Sequence, residues 1–592
     1  MSSLPPGMVL VLGALAVPFL KGHIRKLWML ALPVVSFLHM RSFGGDFVAQ
    51  STFFGYDLTP IRIDALSLVW GYVFHIVAFL TVVYALHVKD KVQNVAGLMY
   101  AGSAICAAFA GDLITLFVYW ELTAITSVFL IWAQRPERAY RTGLRYLIIQ
   151  VASGVILLAG VILHMQEKGS LEFGHLGLES LGTKLIFLSF GIKCAFPFLH
   201  NWLQDSYPEA TPTGTVFLSA FTTKLAVYAL ARGFAGTSIL IPIGATMTLF
   251  PIFFAVIEND LRRVLAYSLN NQLGFMVVGI GIGTELAING TAAHAFAHIL
   301  YKALLFMGVG AVIQMTGKHK LSEMGGLYKT MPITLGLYMI GAFAISAVPL
   351  FSGFVSKSMI MTEAANQGYP VVWFCLLFAT AGVVEHAGIK IPYFAFFAHD
   401  SGLRPKEAPI NMLLAMGIAA FFCIFIGCNP HWLYGMLPNE MSYNPYDATH
   451  VITQTQILLF AMLAVWVLMV KKIYPPELPS INLDFDWFYR KGGKVFYAVM
   501  AMFWNTLNDL AHVFFVKGIA AKISAFTARG PAIVIRQVVG PLHSLGFFSD
   551  KSKEEARDAL EKRATLGIHP IGLTALVAIL FLLFLLLLVL AW

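Results

Sequence analysis

The sequence predicts an all-α polytopic membrane protein, and three observations carry that prediction. Long apolar runs recur from Met8 to Trp592. The chain of 592 residues is 58% hydrophobic and only 12% charged, where a soluble protein carries about a quarter charged residues. The basic residues concentrate in alternate connections between the apolar runs. A backbone in lipid must satisfy its own hydrogen bonds, so runs of this length are helices.

Sixteen segments follow, near 7–22, 24–40, 64–87, 94–111, 112–133, 142–165, 181–199, 213–234, 238–257, 262–283, 287–315, 331–361, 371–397, 410–428, 449–471 and 570–592. They are numbered 1 to 16 below. The connections after odd-numbered segments hold Lys21, Arg25 and Lys26, then Lys89 and Lys91, Arg135, Arg138 and Arg141, Arg262 and Arg263, Lys318, Lys320 and Lys329, Arg404 and Lys406, and Lys471 and Lys472. Even connections hold few. Positive charge stays on the cytoplasmic side, so the N-terminus is expected outside a bacterial cytoplasmic (inner) membrane. The first run, "GMVLVLGALAVPFL", lacks a basic leader and an A-x-A site, and no cleavable signal is expected.

The chain divides into residues 1–93 (segments 1–3), 94–234 (segments 4–8), 238–397 (segments 9–13), 410–473 (segments 14–15), 474–566 and 567–592. Residues 474–566 open with the polar "PPELPSINLDFDWFYRKGG". The mixed stretch 494–540 then reads as an amphipathic helix along the membrane, and the last apolar run as an anchor.

Two segments are expected to break. Segment 7 has Pro197 four residues after Lys193, and segment 12 has Pro349 and Gly353 ahead of Lys357. Proline frees a carbonyl, which lipid does not satisfy. The breaks lie five segments apart. Five is odd, so segments 4–8 and 9–13 are expected to be inverted repeats with breaks at matching places.

A charge at mid-bilayer costs a few kcal/mol or more and needs a partner, water or a function. The candidates are Glu121, Lys193, Lys224, His294, His298, Lys302 and Lys357. If Glu121 and Lys193 face each other, each stabilises the other's charged form, and separating them changes their proton affinity. His294, His298 and Lys302 recur every four residues, about 12 Å along one helical face. That layout suits a relay of groups that titrate near neutrality. Glu385, His386 and Lys390 form a secondary cluster, read equally as a site or a structural network. Asp260, Arg262 and Arg263 read as cytoplasmic boundary charges.

Several function classes are excluded. The five cysteines show no C-x-x-C spacing, and neither a disulfide framework nor an iron–sulfur or zinc site is expected. His294 and His298 have no third ligand nearby, and Lys302 would repel a cation. Without a G-x-G-x-x-G turn or Walker loop, no cofactor is expected. Scattered charges make nucleic acid a poor partner for the net +9.

The motifs "WELTAITSVFLI", "GIKCAFPFLHNWLQDSYPEATPTGT", "DLRRVLAYSLNNQLGF", "HAFAHILYKALLF", "MGGLYKTMPIT" and "AVPLFSGFVSK" resemble the antiporter-like subunits of respiratory complex I, membrane-bound hydrogenases and Mrp sodium/proton antiporters. The resemblance covers roughly residues 60–430. Lys224 together with Lys357 looks most like the D-type subunit of Mrp. The resemblance implies about 14 core transmembrane helices in two inverted five-helix units with helices 7 and 12 broken, and a water-filled axis in the membrane plane. It implies Glu121 as the glutamate of helix five, Lys193 as the lysine of helix seven, Lys224 as a connecting lysine, His294, His298 and Lys302 as relay groups, and Lys357 as the terminal lysine. Some relatives carry an acid on helix six where this chain has Ser153. The long tail resembles the lateral arm of the largest complex I antiporter-like subunit, a brace for its neighbours.

The expected function is proton or cation translocation, of the sodium/proton antiport type, with other membrane subunits, protons and sodium as partners. The alternatives are a proton channel energising inorganic-carbon uptake, a translocase subunit of an NADH-quinone oxidoreductase-like complex, and a scaffold whose charges are inert salt bridges.

Overall fold

The computed structural model describes residues 4–475, 477–478, 482–545, 554–555, 558–559, 562 and 571–590. Parts of the expected 474–566 arm and both ends of the 567–592 anchor lie outside the described residues.

Each of the sixteen segments contains helix. Among the described residues, ten helices are long and apolar enough to cross a membrane. The smaller number has physical causes. Segments 1, 7 and 12 are interrupted, leaving Met8–Ala14, Leu181–Lys193 and Pro332–Ile345 short. Segment 10, Leu261–Ile282, carries the polar run Asn270, Asn271 and Gln272. The ten also include Asp486–Gly530, which overlaps the stretch expected to lie along the membrane.

Polar residues at the segment ends start and stop the helices. Asp64 forms a capping box with Ser67, and Ser180 forms one with Thr183. Asp112 and Asp260 accept from the first free amides of segments 5 and 10.

One element departs from the all-α expectation. Phe47–Phe53 pairs antiparallel with Tyr56–Ile63, Phe47 opposite Ile63, in the connection between segments 2 and 3. Phe54 and Gly55 both have positive φ, as a two-residue hairpin turn requires.

The two breaks share one geometry. In segment 7, Ala195 and Phe198 have φ of +61° and +69° around Pro197. In segment 12, Ala347 and Leu350 have φ of +57° and +73° around Pro349. At both, the residue after the alanine donates its N–H five residues back, Phe196 to Gly191 and Val348 to Phe343. This is a Schellman-type stop followed by proline. Segment 8 breaks as well, unexpectedly: Pro212–Ala220 and Thr222–Gly233 meet at Phe221.

The connections sort by parity. Odd pairs with odd: Arg135 with Asp90 at 2.7 Å, Arg138 with Glu209 at 2.7 Å, His319 with Asp260 at 2.7 Å and Lys329 with Asp400 at 2.8 Å. Even pairs with even: Arg232 with Asp64 at 2.7 Å, and Arg62 with Glu172 at 3.6 Å. A miscounted segment would have mixed the two sets.

The chain forms two units, residues 1–485 and 486–592. The first holds segments 1–15 and all the candidate charges. In the second, helix runs from Asp486 to Ser544, beginning earlier than expected, and Ile571–Leu590 forms a separate helix.

Candidate functional site

Segments 5, 6 and 7 build the first part of the site. Glu121 follows Trp120 on Leu113–Trp132. Gly154 of segment 6 faces it so closely that a Cβ there would lie 1.4 Å from Glu121 Oε1. Glycine is the residue that lets a carboxylate sit against that helix. Glu121 Oε1 has no hydrogen-bond partner in the protein.

Lys193 ends the first half of segment 7 and is fully buried. It donates to Trp120 O at 2.6 Å and to Thr123 Oγ1 at 3.2 Å, and its ammonium lies 4.3 Å from the centre of the Trp120 ring. So Glu121 and Lys193 do not meet in a direct ion pair, although each feels the other's charge. The backbone carbonyl and indole face of the preceding residue hold the lysine instead. Ser153 binds this assembly together. It accepts from Trp120 Nε1 at 3.1 Å and donates to Ser189 O at 3.0 Å.

The other lysines sit at breaks too. Lys224 donates to Ser219 O at 2.5 Å, across the interruption at Phe221. Lys357 donates to Ile345 O at 2.6 Å, a carbonyl freed where the first half of segment 12 stops. Each ammonium answers a carbonyl that its helix has left without an amide partner.

The histidine stretch is different. His294, His298 and Lys302 lie on Glu285–Thr316, all fully buried. His294 Nδ1 meets Ser356 Oγ at 3.0 Å, beside Lys357. His294 Nε2, both nitrogens of His298 and Lys302 Nζ have no protein partner. His75 provides an internal contrast. It is equally buried, but its nitrogens contact Gly71 O at 2.6 Å and Ser36 Oγ at 2.8 Å. His75 is a packing histidine; the pair on segment 11 is not satisfied in that way.

The groups form a series of electrostatic neighbours. Cys194, next to Lys193, lies within reach of Lys224. His298 lies within reach of Lys224, Lys302 and Lys357. His386 lies within reach of Lys302, Lys357 and Lys390. The secondary cluster thus lies beside the main series. Around it, segment 13 loosens into π-helix at Val384–Lys390 and Tyr393–Phe397. Lys390 bonds Val256 O at 2.5 Å and Glu258 O at 2.6 Å and pairs with Glu477 at 3.1 Å; Glu385 accepts from Tyr474.

Sequence reasoning overlooked the neutral polar groups. Tyr301 donates to Gln272 at 3.2 Å, Gln272 to Asn271 at 2.5 Å, and Asn271 to Thr248 O at 2.5 Å. Asn270 is buried with neither amide atom partnered. The signal was the run "NNQ" inside an apolar segment. Asp260, read as a boundary charge, is one. Burial would raise its carboxyl, but the His319 hydrogen bond and the Arg262 charge outweigh burial and hold it below the usual range.

Residues 110–383 match the family described as "NADH:quinone oxidoreductase/Mrp antiporter, TM". Over that region the chain is similar to the antiporter-like subunits. It is 33% identical over 315 residues to the D-type subunit of the Na(+)/H(+) antiporter of Alkalihalophilus pseudofirmus, covering 50% of this chain and 63% of the relative. It is 26% identical over 429 residues to Hydrogenase-4 component B of Escherichia coli, covering 64% of this chain and 63% of the relative. The chain thus spans under two thirds of both relatives' length. Among solved structures, the archaeal membrane-bound sulfane sulfur reductase complex contains a chain with the same fold. Its TM-score is 0.69 at 20% identity, over 88% of this chain and 98% of that one. The antiporter-like chain is an integral, helical membrane protein.

Proposed function

We propose that this chain is a proton-translocating membrane subunit, of the sodium/proton antiport type, working in a multisubunit complex of the bacterial cytoplasmic membrane. One observation carries the reading: His298 and Lys302 are fully buried in the middle of segment 11 without a hydrogen-bond partner in the protein. Leaving such groups unpaired is costly. A static scaffold would pair them, as it does His75. Water satisfies buried polar groups of this kind, and a wet line of imidazoles and amines moves protons.

In this mechanism protons pass by reversible protonation of Lys193, Lys224, His298, Lys302 and Lys357, with His294 in the relay. Lys193 in its charged form rests on Trp120 O and the indole face. Glu121 modulates it by charge across a short gap. A shift of the carboxylate toward or away from the amine changes the amine's proton affinity. The carbonyls at the breaks give Lys224 and Lys357 alternative partners as their charge changes. The matching Schellman stops support two inverted units, segments 4–8 and 9–13, within about 14 core helices. The parity of the ion pairs supports odd connections in the cytoplasm and the N-terminus outside.

The exposed apolar side chains of Asp486–Ala511, Phe496, Phe503 and Trp504 among them, support a lateral arm braced on membrane or neighbouring subunits. The hydrogenase and reductase relatives favour a second coupling, in which a redox partner drives the same proton path.

The test is ion-driven proton flux in everted vesicles from cells carrying the full complex. Glu121→Gln or Lys193→Ala abolishes flux while the chain remains in the membrane. Unchanged flux refutes the assignment.

A further inference from the structure

His200 belongs to none of the groups discussed so far. It lies in the loop that follows the break of segment 7, before Asn201–Ser206. It is 2% exposed. Its Nε2 lies 3.1 Å from Asp484 Oδ2, a carboxylate 284 residues later in the chain. Tyr267 donates to the same oxygen at 2.7 Å, and the Phe485 N–H donates to Oδ1 at 2.6 Å. The imidazole ring packs on Phe250, centroids 4.5 Å apart.

The tautomer follows from these contacts. An ionised carboxylate only accepts, so Nε2 carries the hydrogen. Asp484 is ionised. Burial alone would raise its carboxyl, but the His200 and Tyr267 hydrogen bonds outweigh burial and hold it below the usual range. Nδ1 therefore presents a lone pair, buried and without a protein partner. The next polar groups along the loop, Asn201 Oδ1 and both amide atoms of Gln204, are buried and unpartnered as well. Trp202 Nε1 donates to Ile192 O at 2.9 Å, tying this loop to the residue before Lys193.

We propose that His200, oriented by Asp484, is a proton-transferring group at the odd-connection end of broken segment 7, and that it exchanges protons with Lys193. A carboxylate on one nitrogen with a free lone pair on the other is the arrangement of a working base. The inference rests on the translocation reading above. Nδ1 takes a proton from the odd-connection side, the imidazolium is stabilised by Asp484, and Nδ1 releases the same proton inward to the neutral Lys193 amine. Nε2–H stays on Asp484 throughout. Arg263 lies near Tyr267 and is matched by Glu258 at 3.8 Å, and Asp205 on the same loop is matched by Arg145 at 2.7 Å.

The test uses everted vesicles of the full complex and measures proton flux against pH on the odd-connection side. His200→Gln lowers flux about tenfold or more near neutrality. Asp484→Asn keeps an acceptor but removes the charge that favours imidazolium. The flux midpoint then moves to lower pH by about one pH unit, and Asp484→Glu restores it. A purely structural role would scale the whole profile without moving its midpoint. Lys193→Ala is run in parallel. If it abolishes flux while His200→Gln retains it, or Asp484→Asn leaves the midpoint in place, the His200 proposal falls and the translocation reading stands. If Lys193→Ala leaves flux intact, both fall.

Discussion

Whether a buried ionisable residue works or merely packs turns on where its polar atoms find partners. Lys193, Lys224 and Lys357 stand at helix interruptions and are answered by backbone carbonyls; His298 and Lys302 have no hydrogen-bond partner in the protein. Glu121 owes its place to Gly154. A methyl group there would displace the carboxylate, and overpacking of this kind costs about 1–3 kcal/mol. Gly154→Ala is therefore expected to lower ion-driven flux nearly as far as Glu121→Gln does, with the protein still in the membrane. Vesicle flux normalised to immunoblotted protein measures this. The identities of the charged groups were legible in the sequence because lipid makes every charge conspicuous. Their partners were not. Whether Lys193 reaches Glu121 or Trp120 O depends on side-chain geometry, which spacing does not encode.

At the scale of elements, proline announced two of the breaks, Pro197 and Pro349. The interruption at Phe221 has no proline or glycine of its own. Tyr100 supports it by accepting from Thr222 N at 3.0 Å, a contact across 122 residues. The hairpin at Phe47–Ile63 escaped for a related reason: its strands are mostly exposed and too short to read as an apolar run. The breaks rely on alanines held at positive φ, a conformation that strains any residue with a Cβ and a branched one most. Ala347→Gly is expected to keep flux and stability. Ala347→Val is expected to cost about 1–2 kcal/mol or more and to disturb the Lys357–Ile345 contact. Thermal unfolding in detergent and vesicle flux compare the two.

For the whole molecule, the alternation of basic connections predicted which loops lie together, and the ion pairs follow that parity. Two of the tying carboxylates sit on opposite sides of this division. Asp64 is raised by burial but lowered more by Arg232, and Asp484 is raised by burial but lowered more by His200 and Tyr267; both end below the usual carboxylate range. Their stabilisation is present above the unfolded carboxylate value of about 3.9 and is lost as pH falls through the depressed folded values. The melting temperature in detergent should hold at neutral pH and drop below about pH 4. Asp64→Asn should be less stable than the wild type at pH 7, and the gap should close in acid.

The account depends most on water reaching the buried line between the two broken segments. A high-resolution cryo-EM map of the intact complex, recorded at neutral pH, tests this directly. Ordered waters within hydrogen-bond distance of His298, Lys302 and Asn270, continuous toward Lys224 and Lys357, are the predicted result. A dry, close-packed interior around His298 and Lys302 would contradict it.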